Sequence, residues 1–307
     1  MRLIFALCAI LLCGVAQAQS GSGGSSTSTA FCDKARPTTA AEQDRILRFA
    51  AAVRDELNLT GSDTVIISRS GLDLSRFHIR YSHAAIMIRG DQEGETGNWT
   101  ARQLYYACDE GRPRIYDQGL AGFASGSDDP AVGYISIVVM PSDAAKSVRQ
   151  ASQNNVSALE LLASTYSANA YPFSTSYQNC NQWVIEMLAV AWGNLRGGDD
   201  LRPRAQDWLK EQHYDPEPVK VGSGLLMIAS LFTPMLHLSD HPRTDRSTML
   251  LKVSLPSTIE TFVKERWPAT PRIELCHTSK QIVVHHGWKL IEDGCQAGDG
   301  DSVIALD

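Results

Sequence analysis

The stretch Ser176-Tyr-Gln-Asn-Cys-Asn-Gln-Trp-Val-Ile-Glu-Met-Leu constrains this chain most. Trp183, Val184, Met187, Leu188 and Ala191 recur at helical spacing, so a helix over Cys180–Trp192 must bury one stripe against a second layer. Asn179 suits an N-cap, and Gln182 three residues on completes a capping-box pattern. Cys180 then occupies the first position of a buried helix. A thiol there meets the positive end of the helix dipole and unpaired backbone N–H groups, and both favour thiolate. Cys180 is therefore a candidate nucleophile. The plainer reading is a buried structural thiol, a common fate of free cysteine.

A nucleophilic cysteine needs a base. Among the eight histidines, His83 lies in the short apolar run Tyr81–Ile88, which reads as a strand closed by Gly90 and Asp91. Ala84 and Ala85 are small and leave room for a helix end to approach the ring. Alone, His83 would read as a core histidine; beside Cys180 it reads as the base. A second cluster, His237, Asp240 and His241 with His277, His285 and His286 downstream, offers metal-ligand residue types. Its spacing fits no recognised zinc pattern, so a surface loop, one that could line a cleft, is the expectation, with no metal and no cofactor. Glu186 is expected to be a solvated helix residue, and Trp183 and Trp192 to be core.

His83-Ala-Ala-Ile86 followed 97 residues later by Asn179-Cys180 resembles the permuted branch of the NlpC/P60 papain-like superfamily, which includes the lecithin–retinol acyltransferase-like proteins. Ser68–Arg76, Arg102–Cys108, Tyr166–Pro172 and Gln178–Trp183 resemble a family of secreted bacterial proteins known as a domain of unknown function (DUF family 2145). That second resemblance covers almost the whole mature chain and brings no established activity. The first implies an α+β, circularly permuted papain-like NlpC/P60 fold. Its antiparallel sheet would pack against the Cys180 helix, with added C-terminal elements from about residue 200. It implies a cysteine hydrolase or acyltransferase acting on an amide or ester, with cell-wall peptide or an acylated small substrate as partner. Cys180 would attack, His83 would move the proton, and a polar residue on a following strand would orient the ring. Asp117, at the end of the strand-like Arg112–Gly119, is the first choice for that residue and Asp109 the second. The Cys180 N–H, with Tyr177 or Gln178, would hold the oxyanion. The alternative is a non-catalytic envelope binding or assembly module on the same fold.

The N-terminus carries an address. Met1-Arg2, the apolar Leu3–Val15 and Ala16-Gln-Ala18 form a signal-peptide pattern over 1–18, and a periplasmic or secreted product is expected. A Gly/Ser linker covers 19–31, and a permuted papain-like domain is expected over 32–307. Losing Arg2 moves the net charge from −6 to −7, which argues against binding nucleic acid. The apolar stretch Leu225–Leu238 is broken by Pro234 and is too short to span a bilayer.

Five cysteines remain after cleavage, an odd number that suggests two bridges and one free thiol. Cys276 and Cys295 bracket a hairpin-like stretch and are paired on that ground. Cys32 and Cys108 pair by elimination, leaving Cys180 free. Helices are expected at Thr39–Leu57, Pro141–Gln150, Ser157–Ala168, Cys180–Trp192 and Arg204–Gln212. Strands are expected at Asp63–Ser68, Tyr81–Ile88, Arg102–Ala107, Arg114–Gln118, Gly133–Met140 and Thr248–Leu255, with a hairpin after Leu275.

Overall fold

A computed structural model describes residues 38–90, 98–108, 110–127, 129, 131–230, 233 and 235–306. The signal segment, the linker, Cys32 and Asp109 lie outside the described residues. The chain opens with α1 (Ala40–Leu59), started by a capping box between Thr39 and Glu42. Then come β1 (Thr64–Arg69), β2 (His83–Arg89), β3 (Trp99–Ala107), β4 (Arg112–Gly119), α2 (Leu120–Ala124) and β5 (Gly133–Val138). A helical layer follows: α3 (Ser142–Gln153), α4 (Asn155–Glu160), α5 (Cys180–Trp192) and α6 (Leu201–Glu211). The remainder is β6 (Pro218–Lys220), α7 (Gly224–Ser230), α8 (Arg243–Thr248), β7 (Leu250–Lys252), α9 (Pro256–Arg266), β8 (Arg272–His277), β9 (Gln281–His286) and β10 (Ser302–Ala305).

Eight strands form one sheet in the order β10-β9-β8-β5-β1-β2-β3-β4, every neighbouring pair antiparallel. β1 is buried along its whole length, because helices cover both faces at the sheet centre. Strand alternation sorts the core into two layers. Ile66, Ala84, Ile86, Ile88 and Leu104 face α3, α5, α6 and α9. Val65, Ile67, Ala85, Met87 and Ala101 face α1 and α2. α5 is buried on nearly every side, as its apolar stripe requires. The molecule is thus α+β, with the Cys180 helix laid on an antiparallel sheet.

Three expectations change. The helix over 157–168 stops at Glu160, since the chain beyond Ala163 turns to run beside the approach to α5. There Tyr166 bridges to Gln178, and the Ser167 N–H donates to the Gln178 carbonyl at 3.1 Å. The strand over 248–255 shrinks to β7, with α8 before it and α9 after. Pro256 at the first turn of α9 is a helix-start signal that the strand reading passed over. The C-terminal part, expected as an elaboration, supplies β8, β9 and β10 of the main sheet. Among the described residues no helix is long and apolar enough to cross a membrane.

Candidate functional site

Asn179 caps α5, its side chain accepting from the Gln182 N–H at 2.7 Å. The reciprocal half of the capping box is absent. The Gln182 amide instead donates to the Pro172 carbonyl at 3.1 Å and to Glu186 at 3.2 Å. Cys180 is the free cysteine among the described residues and is 6% exposed. The Arg69 charge, and then hydrogen bonds from the Asn181 N–H, the Tyr166 hydroxyl and the Cys180 N–H, favour its thiolate. Burial outweighs them, and the thiol is pushed up to about 11 from 9.0. The helix terminus thus acts in the expected direction but does not win in the closed protein.

His83 begins β2 and is 2% exposed. It alternates onto the face of α2, where its ring lies 6.1 Å from that of Phe123. Arg69 is its register partner on β1 and reaches the same phenyl ring at 5.4 Å. Burial, and secondly the Arg69 charge, lower the His83 pKa from 6.5 to about 3; a hydrogen bond to Gln103 opposes them. At rest the Cys180 thiol and the His83 imidazole are each neutral; they are linked through the hydrogen bonds of Asn181 rather than by a contact between the two side chains.

The two residues are tied together through backbone. The β2–β3 ladder runs from Arg89↔Trp99 to Ile86↔Arg102 and ends there. Beyond it the Asn181 side chain takes the place of β3. Its Oδ1 accepts from the Ala84 N–H at 2.9 Å, and its Nδ2 donates to the Ser82 carbonyl at 3.1 Å. The residue after Cys180 therefore grips the peptide groups on both sides of His83. The sheet parts between β2 and β3 where the start of α5 arrives.

The ring partner of His83 is Gln103, not Asp117. His83 Nε2 and Gln103 Oε1 lie 2.5 Å apart, and Gln103 Nε2 donates to Gln118 Oε1 at 2.9 Å. Asp117 alternates to the opposite face, where both its oxygens accept from Arg102 at 2.8 Å. Successive strand residues point to opposite faces, so the sequence choice was one residue out of register with the ring. A usable signal was present: Gln103 and Gln118 are polar residues at buried strand positions with no turn to explain them.

Gln178 is not open to an oxyanion. Its N–H donates to the Thr165 carbonyl, its Oε1 accepts from the Ala163 N–H at 3.0 Å, and its Nε2 donates to the Leu161 carbonyl and Glu186. The Tyr177 side chain bonds Ser239 at 3.0 Å and stacks on His237 at 4.3 Å. Tyr166 is the hydroxyl that reaches the sulfur. Glu186 is fully buried rather than solvated; Arg202 Nε donates to both its oxygens, and Gln206 donates at 2.8 Å. In the histidine-rich loop, the His241 ring bonds the Asn169 carbonyl at 2.7 Å and Asp240 accepts from the Tyr171 N–H at 2.8 Å. These side chains hold the loop to the segment before α5.

Cys276 and Cys295 are disulfide-bonded, with Cα atoms 5.7 Å apart. Cys108 is disulfide-bonded as well; Cys32, its expected partner, lies outside the described residues.

The fold and site thus define an α+β protein with a thiol at a helix start and a glutamine-held imidazole on the strand that this helix grips. The chain belongs to a bacterial family described as "Uncharacterized protein conserved in bacteria (DUF2145)", which matches residues 56–263. That span contains Arg69, His83, Gln103, Gln118, Tyr166 and Cys180. None of the curated proteins compared with the chain matches it, and none of the solved structures does.

Proposed function

We propose that this protein is a secreted cysteine hydrolase or acyltransferase acting on an amide or ester bond. The observation that carries the reading is the coupling of Asn181 to both sides of His83, with His83 itself held by Gln103. A structural thiol and a core histidine need neither. The arrangement also resembles the permuted NlpC/P60 papain-like plan, in which a polar residue on the strand after the histidine orients the ring; Gln103 on β3 fills that role here.

In the reaction the Cys180 sulfur attacks the carbonyl carbon while its proton passes to His83. The carbonyl oxygen becomes an oxyanion, received by the Cys180 N–H and the Tyr166 hydroxyl. Collapse breaks the bond to the amine or alcohol, which leaves with the proton from His83. A thioester remains, and water or an acceptor amine or hydroxyl resolves it. Burial is the first cause of both pKa shifts. A polar substrate that wets the site therefore moves both groups toward their charged forms at once.

Cell-wall peptides and acylated small molecules are the substrate classes proposed. Incubating the protein with purified muropeptides and with acylated peptides tests this. Turnover that disappears in Cys180→Ala supports the reading, and the absence of turnover on either class contradicts it. The closed site, with both groups buried and neutral, favours a second reading: a non-catalytic envelope binding or assembly module. That reading expects muropeptide binding that is unchanged in Cys180→Ala.

A further inference from the structure

The hydrogen bonds around His83 carry a direction. Gln103 gives its amide nitrogen to Gln118 Oε1 at 2.9 Å, so it presents its carbonyl oxygen to the ring. A carbonyl oxygen can only accept. With the amides turned this way His83 Nε2 carries the proton, which leaves Nδ1 as the basic nitrogen. Gln118 sets this direction by turning its Oε1 toward Gln103, because an amide is two-sided and Gln103 alone could turn either edge toward the ring. Gln118 is itself held. It is 9% exposed, and Gly122 of α2 packs on its amide so closely that an added Cβ would stand 2.9 Å from Nε2 and 3.0 Å from Cγ. Gln103 and Gln118 lie diagonally on one face of the β3–β4 pair, since Gln103 registers with Tyr116 and Gln118 with Ala101.

We propose that Gln118 is a positioning residue that fixes His83 as the Nε2–H tautomer, through Gln103, with Gly122 as its backstop. The catalytic meaning of that tautomer rests on the function proposed above; the tautomer itself does not. A chain of two neutral amides can set the tautomer without adding a charge beside an imidazole that is already hard to protonate. A carboxylate in place of Gln103 would favour imidazolium instead.

The test is a long-range proton–nitrogen NMR correlation on protein with labelled histidine near pH 7.5, the His83 signals being assigned by their loss in His83→Gln. In the native protein Nε2 should show the shift of a protonated ring nitrogen and Nδ1 that of a bare one. Gln118→Met removes the acceptor and frees the Gln103 amide, so the proton should pass to Nδ1 in part or in full. Gln118→Glu keeps an acceptor and should restore the native pattern. Gly122→Ala, which displaces Gln118 without touching its chemistry, should shift the pattern toward that of Gln118→Met and serves if Gln118→Met does not fold. Acylation of Cys180 by an activated ester should drop by roughly tenfold or more in Gln118→Met and recover in Gln118→Glu, as expected when a base offers the wrong nitrogen. A native Nδ1–H tautomer, or a native pattern in both Gln118→Met and Gly122→Ala, overturns the proposal whatever the activity. A native protein with the stated tautomer but no acylation fails the proposed function and leaves the Gln118 assignment standing.

Discussion

His83 and Cys180 are each held in the neutral form, and that sets how stability depends on pH. The folded His83 and His277 titrate near 3 and 4, both lowered first by burial, against 6.5 for a free imidazole. Below pH 6.5 the unfolded chain takes up protons that the folded chain refuses. Stability should then fall by about 1.4 kcal/mol per pH unit for each histidine until the folded group protonates. Cys180, raised to about 11, acts at the other end: stability is lost as pH climbs above 9. Urea unfolding at several pH values checks this. His83→Gln should flatten the acid limb relative to wild type, and Cys180→Ala the alkaline limb; parallel curves would contradict the assignment. The places of Cys180 at a helix start and His83 on a short strand were legible in the sequence because both elements carry strong local signals. Gln103 was not, because its role depends on which face β3 turns toward β2, and that is decided by register rather than by residue type.

α5 shows how far an element can be read. Its bounds, its N-cap and its apolar stripe follow from spacing alone. Its wet side does not exist: Glu186 faces α6, where Arg202 and Gln206 meet it. A glutamate inside an amphipathic helix resembles a surface residue until a second helix covers it, and the covering helix begins at Leu201, fifteen residues after Glu186. Removing Glu186 leaves Arg202 buried without its counter-charge. Glu186→Ala should lower stability by roughly 3–5 kcal/mol, whereas Glu186→Leu combined with Arg202→Met should recover much of that loss. Chemical denaturation of the single and paired variants separates these outcomes. A loss under about 1 kcal/mol for Glu186→Ala would show that the pair is not desolvated.

The whole molecule is organised by one sheet whose strands come from both ends of the chain. The family match stops at residue 263, but β8 pairs with β5 and carries β9 and β10 with it. Truncation after Arg266 should expose the β5 edge and give insoluble protein, and a soluble, cooperatively unfolding fragment would contradict that. The Cys276–Cys295 bridge closes this part of the sheet over a sequence separation of 19. Replacing both cysteines by serine should cost about 3 kcal/mol, read as a lower urea midpoint. The sheet's antiparallel character was legible from alternation and hairpin signals. The join between β5 and β8 was not, because a pairing across more than a hundred residues leaves no local trace.

Trapping the thioester tests whether Cys180 and His83 act as one nucleophile–base pair: wild type and His83→Ala are exposed at neutral pH to an activated acetyl ester, and the acetylated residue is located by peptide mass mapping. One acetyl group should appear on Cys180 of the wild type, forming about a hundredfold or more faster than in a folded His83→Ala protein. Equal rates in the two proteins, or no acetyl group on Cys180, would contradict it.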